Sequence, residues 1–310
     1  MRLQFCAALA AAFVSTAFPP GMALAQQWKD APAYAPERAD NVLRRSVFFM
    51  PLFGATFPEK FEVLLGSMPA NSLRGVIVYN HGCGGQWGWE TTVAQFLYRQ
   101  GFAVITPEFP ARRDNKLGCS GSNEEESRRN GAERAREGIY QAINPARLAA
   151  RVDDILAVVR WLKARTALPI LVGGHSEGCR ATYSLHTTDP QIVGGICVKQ
   201  GLQDNYEHTW RWNPDKPMWQ SLEEHDPWVM WGPNTVHTVG FERKFVDKPD
   251  RLTVVRVPGR THEPLNQQAE RDSLIAWLNA RVAHPLRPGG NGFLYESTLP
   301  RIQQRLEEPR

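Results

Sequence analysis

Several things are scarce or missing in this sequence, and each absence closes off a class of function. It has five cysteines in 310 residues and no C-x-x-C, H-E-x-x-H or H-x-H spacing, so no metal site is expected. It has no Lys/Arg block: 36 basic residues stand against 32 acidic ones, for a net charge of +4, which argues against nucleic acid as a partner. No apolar run after the first 25 residues approaches the ~20 needed to cross a bilayer, so the mature chain is expected to carry no integral membrane segment. Internal repeats and a dividing linker are also missing, which leaves a single domain after the leader.

What is present begins with residues 1–25, which read as an export signal. Arg2 supplies the positive start, an apolar stretch runs to Phe18, and Ala23-Leu24-Ala25 is an A-x-A cleavage site before Gln26. The product is therefore expected to be periplasmic or secreted. Cys6 leaves with the leader, while Cys83, Cys119, Cys179 and Cys197 remain. An even count in an oxidising compartment permits disulfides, and spacing alone chooses no pairing. Cys179 and Cys197 also read as small buried hydrophobes, given their apolar surroundings.

Strand and helix patterns alternate along the chain. Strand-like pieces occur at 46–52 and 61–65, then at 75–79, 102–105, 169–172, 193–198, 227–231 and 252–257. Helical periodicity marks 90–99, 146–164, 177–186 and 269–282; in 146–164, Leu148, Val152, Ile155, Val159 and Leu162 share one face. Short apolar strands separated by helices predict an α/β fold, a mostly parallel central sheet with helices on both faces. Two segments interrupt the repeat and read as insertions. Residues 111–144 are polar and rich in both signs of charge, and residues about 202–226 are rich in tryptophan. The first reads as a solvated loop or a lid, the second as a pocket lining or as core.

Three pieces carry chemistry. In Gly174-His175-Ser176-Glu177-Gly178, a serine stands between a predicted strand and a predicted helix, flanked by glycines that let a sharp turn form without clashes. Ser176 is therefore the candidate nucleophile, at a helix N-terminus that favours developing negative charge. Asn80-His81-Gly82-Cys83-Gly84-Gly85 follows a strand, and its backbone can approach a ligand closely. The N–H of Cys83 or Gly84, with that of Glu177, would form an oxyanion hole. The Glu177 side chain itself reads as solvated. His262, in Pro258-Gly259-Arg260-Thr261-His262-Glu263 past the last strand, is the candidate base.

In this order the three pieces resemble the α/β-hydrolase superfamily. Together with GFAVITPEFPAR at 101–112 and RVDDILAVVRWL at 151–162, they look like its dienelactone-hydrolase-like branch over residues 74–282. The resemblance implies cofactor-free hydrolysis of an ester or lactone, with a small-molecule ester as substrate. It also suggests a bridge between Cys83 and Cys119. The chain departs from that branch in having serine at the elbow, where dienelactone hydrolases proper use cysteine. It also has no carboxylate just after 227–231, where the superfamily usually keeps its acid. Asp204, after 193–198, is the preferred acid and Asp247 the alternative; Asp226 precedes the expected strand 227–231 and would lie at its wrong end. A peptidase of the prolyl-oligopeptidase type and a non-catalytic binding protein on the same scaffold remain as alternatives.

Overall fold

The computed structural model describes residues 39–44, 46–51, 53–68, 72–82, 88–107, 145–186, 188–200, 211–224, 226 and 245–282. In chain order these form α1 (Ala39–Arg44), β1 (Val47–Met50), β2 (Gly54–Thr56), α2 (Pro58–Ser67), β3 (Gly75–Asn80), α3 (Gly88–Arg99), β4 (Phe102–Thr106), α4 (Pro145–Lys163), β5 (Ile170–His175), α5 (Glu177–Ser184), β6 (Ile192–Val198), β7 (Met218–Glu223), a 3-10 turn (Pro249–Arg251), β8 (Leu252–Val257) and α6 (Gln268–Arg281). The leader at 1–25 and the polar segment at 111–144 lie outside the described residues.

The eight strands form one sheet in the order β2-β1-β4-β3-β5-β6-β7-β8. From β4 to β8 every pairing is parallel, and β1 is antiparallel to both its neighbours. Parallel strands of this kind are buried on both faces, so successive residues serve different cores. Val76 and Val78 of β3 pack with Phe61, Ile155 and Val158 on the face covered by α2 and α4. Ile77 and Tyr79 pack with Leu97, Leu274 and Trp277 on the face covered by α3 and α6. Truncating a fully buried residue such as Ile77 would cost about 2–5 kcal/mol, so either core alone fixes the strand's register. This is the predicted α/β fold, a mostly parallel central sheet with helices on both faces.

Two expected elements need correction. Residues 61–65 are helical, inside α2, because Pro58 opens the helix and Phe61, Leu64 and Leu65 lie on one face at steps of three and four. The strand after β6 is β7, inside the stretch read as a Trp-rich insertion; the expected strand at 227–231 lies outside the described residues. β7 hides in the sequence because Gln220, Ser221 and Glu223 make up half of a fully buried strand. Their polarity is satisfied inside: Tyr183 donates its hydroxyl to Gln220 Oε1 at 2.8 Å, and Gln220 donates to the Gln200 carbonyl at 3.0 Å. Trp212 and Trp219 are core residues, with Trp219 donating its indole N–H to Ser273.

Candidate active site

Parallel strands all end on one side, and in open α/β sheets that carboxyl edge is where ligands bind. The register Asn80↔Gly174, His175↔Val198 and Glu223↔Val257 levels the ends of β3, β5, β6, β7 and β8, so residues just beyond them meet.

Ser176 follows β5 with φ 54° and ψ −120°, a backbone conformation that a non-glycine residue adopts only when its surroundings force it. The forcing contacts are visible. Its N–H donates to the Val198 carbonyl at 3.1 Å, and its own carbonyl accepts the Cys179 N–H at 3.0 Å as α5 begins. A side chain on Gly174 would meet the Gly178 backbone at 2.4 Å, and one on Gly178 would meet the Asn80 carbonyl at 2.1 Å. The two glycines are thus required by the close approach of β3, the turn and α5. Ser176 is left half-buried with its hydroxyl at the head of α5.

Cys179, one turn into α5, is disulfide-bonded to Cys197 of β6. This pairing binds the helix behind Ser176 to the neighbouring strand. Cys83 and Cys119 lie outside the described residues, as does Gly84.

His262 is buried, and Asp226 accepts its Nδ1–H at 2.6 Å. The preferred acid, Asp204, lies outside the described residues, and Asp247 is exposed in the turn before β8. The carboxylate on His262 is the one set aside for preceding its strand. That reading is corrected by the position of β7: Asp226 comes three residues after its end, at the carboxyl edge. The imidazole has a second neighbour. His175 donates from Nε2 to the His262 carbonyl at 2.9 Å, with the two rings 4.6 Å apart. Burial pushes the His262 pKa below the usual 6.5, opposed by the charge and hydrogen bond of Asp226 and reinforced by His175 and Lys199.

The loop after β3 is gripped by two charged side chains that carry no sequence motif. Arg151 of α4, almost fully buried, donates to the carbonyls of His81 at 2.8 Å and Gly82 at 3.3 Å. Its Nε lies 3.3 Å from Glu177 Oε1, so Glu177 is buried in an ion pair instead of solvated, and its carboxylate does not face solvent. Glu90 of α3 accepts the Gly82 N–H at 3.2 Å and sits 3.5 Å from His175 Nδ1. Arg151 and Glu90 thereby tie the loop carrying the expected oxyanion donors to the serine turn.

The structure thus brings Ser176, Glu177 and His262 to one edge and adds Asp226, His175, Glu90 and Arg151, which the sequence reading did not single out in these roles. Arg151 had a sequence signal, a charge on an otherwise apolar helix face. Glu90 and His175 had none. Among the described residues no group of three or more His, Cys, Asp or Glu side chains is arranged to hold a metal ion. Among them, also, no helix is long and apolar enough to cross a membrane.

No family model matches the chain, and no curated protein matches it. Solved structures that resemble it include a cold-adapted esterase from an Arctic intertidal metagenomic library in complex with PEG, at 16% identity and a TM-score of 0.48, covering 76% of this chain and 88% of that one. Esterase PE8 has 16% identity and a TM-score of 0.44, covering 69% and 96%. Est1E from Butyrivibrio proteoclasticus has 12% identity and a TM-score of 0.44, covering 76% and 93%.

Proposed function

We propose that the protein is a serine hydrolase that cleaves carboxylic ester or lactone bonds through an acyl-enzyme. The observation that carries this reading is the hydrogen bond from His262 Nδ1 to Asp226, on the same sheet edge as a serine in a forced turn. Asp226 fixes the tautomer that leaves Nε2 of His262 as the base and stabilises the imidazolium once it forms. In this scheme His262 takes the proton of Ser176 Oγ as the oxygen attacks the carbonyl carbon. The N–H of Glu177, with that of Cys83 or Gly84, holds the oxyanion. The imidazolium then protonates the leaving alcohol, and water, deprotonated by His262, releases the acid and restores Ser176. Asp226 replaces Asp204 as the acid of this triad.

An acid on His262 speaks against a non-catalytic binding protein, whose main support was an empty acid position. The serine elbow and the motifs after β3 and β8 favour the dienelactone-hydrolase-like branch, with serine in place of cysteine. The leader-like residues 1–25, together with a disulfide, favour an exported protein. The test is labelling of the purified protein with a fluorophosphonate and mapping of the adduct. Attachment at Ser176, lost in Ser176→Ala along with ester turnover, is expected. A folded protein that does not label, or a Ser176→Ala variant with full turnover, sinks the assignment.

A further inference from the structure

Lys199 takes no part in the chemistry above, yet it is a fully buried ammonium close to the base. It directly follows β6 with φ 51°, in the left-handed region that costs a non-glycine residue about 1–2 kcal/mol. Its N–H is held by the Ser221 carbonyl of β7 at 3.1 Å. An ammonium has three donors, and this one meets three acceptors from three parts of the chain: Glu223 at the end of β7, Asn266 Oδ1 at 3.2 Å, and Glu270 Oε2 of α6 at 3.3 Å.

Two of those acceptors hold the residue just before His262. Glu223 Oε1 accepts the Thr261 N–H at 2.6 Å, and its other oxygen accepts the Thr261 hydroxyl at 3.3 Å. Asn266 donates from Nδ2 to Thr261 Oγ1 at 2.7 Å. The third acceptor, Glu270, caps the first turn of α6 by accepting the Gln267 N–H at 3.3 Å. One side chain therefore anchors the loop between β8 and α6 near its start, near its end, and at the helix that follows. Glu223 is as deeply buried as Lys199, and a buried charge of that kind persists only when paired and hydrogen-bonded.

We propose that Lys199 is a positioning residue for His262: by holding Glu223 and Asn266 against Thr261, it fixes the loop that presents the imidazole to Ser176. The proposal rests on the reading of His262 as the base. Misplacing a catalytic group by about 1 Å can cost on the order of a hundredfold in rate, so such an anchor acts on turnover more than on substrate affinity. Among the described residues, the charged and titratable groups on the elements around His262 include Asp226 beyond β7, His175 at the end of β5 with Glu90 of α3 behind it, Glu223 at the end of β7, Glu270 on α6, and Lys199. Lys199 opposes protonation of His262.

The test compares wild type with Lys199→Met, Glu223→Gln and Asn266→Ala. The readouts are kcat and KM on a p-nitrophenyl ester across pH, the rate of fluorophosphonate labelling of Ser176, and thermal unfolding. Lys199→Met is expected to lower kcat by about tenfold or more with KM within about twofold, and to slow labelling in parallel. The acid limb of kcat/KM should move up in Lys199→Met, where a charge that opposes protonation of His262 is removed, a shift that a merely structural role would not give. Asn266→Ala, which keeps the Lys199–Glu223 pair, should lose less, and decides the matter with Glu223→Gln if Lys199→Met does not fold. Folded variants with wild-type kcat and labelling overturn the proposal and leave the hydrolase reading standing. A lower kcat in Lys199→Met with an unmoved acid limb overturns it too. Wild-type protein that fails to label at Ser176 removes the hydrolase reading and this proposal together.

Discussion

Asp226 Oδ2 lies 2.6 Å from Nδ1 of His262, across 36 residues of sequence, and both side chains are buried. The contact joins the turn after β7 to the turn after β8, neighbours in the sheet. Asp226→Asn is expected to lower kcat by on the order of 10³–10⁴-fold, because an amide selects the wrong tautomer of the imidazole. Asp204→Asn should leave kcat close to wild type. Ester hydrolysis by the two variants checks this, and the reverse ranking would return Asp204 to the acid's place.

The lowered pKa of His262 gives the pH dependence a sign. The base works when neutral, so kcat/KM should rise with pH along an acid limb centred below 6.5, the usual histidine value. Stability follows the same direction: since the folded pKa is depressed, the contribution of His262 is present above 6.5 and is lost as pH falls through the folded value. A pH–rate profile and unfolding curves at several pH values test both. An acid limb above 6.5 would contradict the burial argument.

Gly259→Ala should damage the site from a distance. Gly259 has φ 145°, and a Cβ there would come 2.1 Å from Glu223 Oε1, the oxygen that holds Thr261. Strain at such a position is worth roughly 1–3 kcal/mol, and displacing the carboxylate should reduce kcat as well. Thermal unfolding with kcat, measured on the same preparation, would show both losses or refute the close approach.

Arg151→Met is expected to destabilise the protein by about 3–5 kcal/mol, the usual cost of breaking a buried ion pair. Adding Glu177→Gln should restore part of that stability without restoring turnover, since the carbonyls of His81 and Gly82 would still lack their donor. Denaturant unfolding and kcat of the single and double variants separate the two effects. Recovery of turnover in the double variant would confine Arg151 to the ion pair.

Cys179→Ala combined with Cys197→Ala should lower stability by about 3 kcal/mol, the loop-closure value for a bridge spanning 18 residues. Ester turnover should persist, because α5 is also held by its packing between β5 and β6. Unfolding of the variant, and of wild type with and without reductant, provides the measurement. A variant as stable as wild type would mean the two thiols are not bonded.

The sheet and the placing of Ser176 and His262 at its carboxyl edge were legible in the sequence because each depends on a local pattern: apolar runs for strands, glycines around a serine at a strand-to-helix turn, and a histidine past a strand. The carboxylate on His262 does not stand out in the sequence because β7 violates its pattern. Gln220, Ser221 and Glu223 make it look like a loop, so the apolar pattern points to a strand at 227–231 and puts Asp226 on the wrong side of it. Glu90 and Lys199 were invisible for a related reason, and Arg151 showed only as a charge on an otherwise apolar helix face. A charged residue reads as surface, and only the three-dimensional placement of its partners shows that it is buried. Glu177 is a further instance, as its first-turn position suits both a solvated carboxylate and one paired to Arg151.

The end of β6 shows what sets the spacing of the reacting groups. Cys197 is bonded to the helix behind Ser176, the Val198 carbonyl receives the Ser176 N–H, and Lys199 secures the loop of His262. Three consecutive residues, none of them a proposed reactant, serve as the common datum from which the proposed nucleophile and base are both located. A search confined to groups that touch substrate would pass over this tripeptide, whereas a substitution at Lys199 would put serine and histidine out of step with each other while leaving each of them intact.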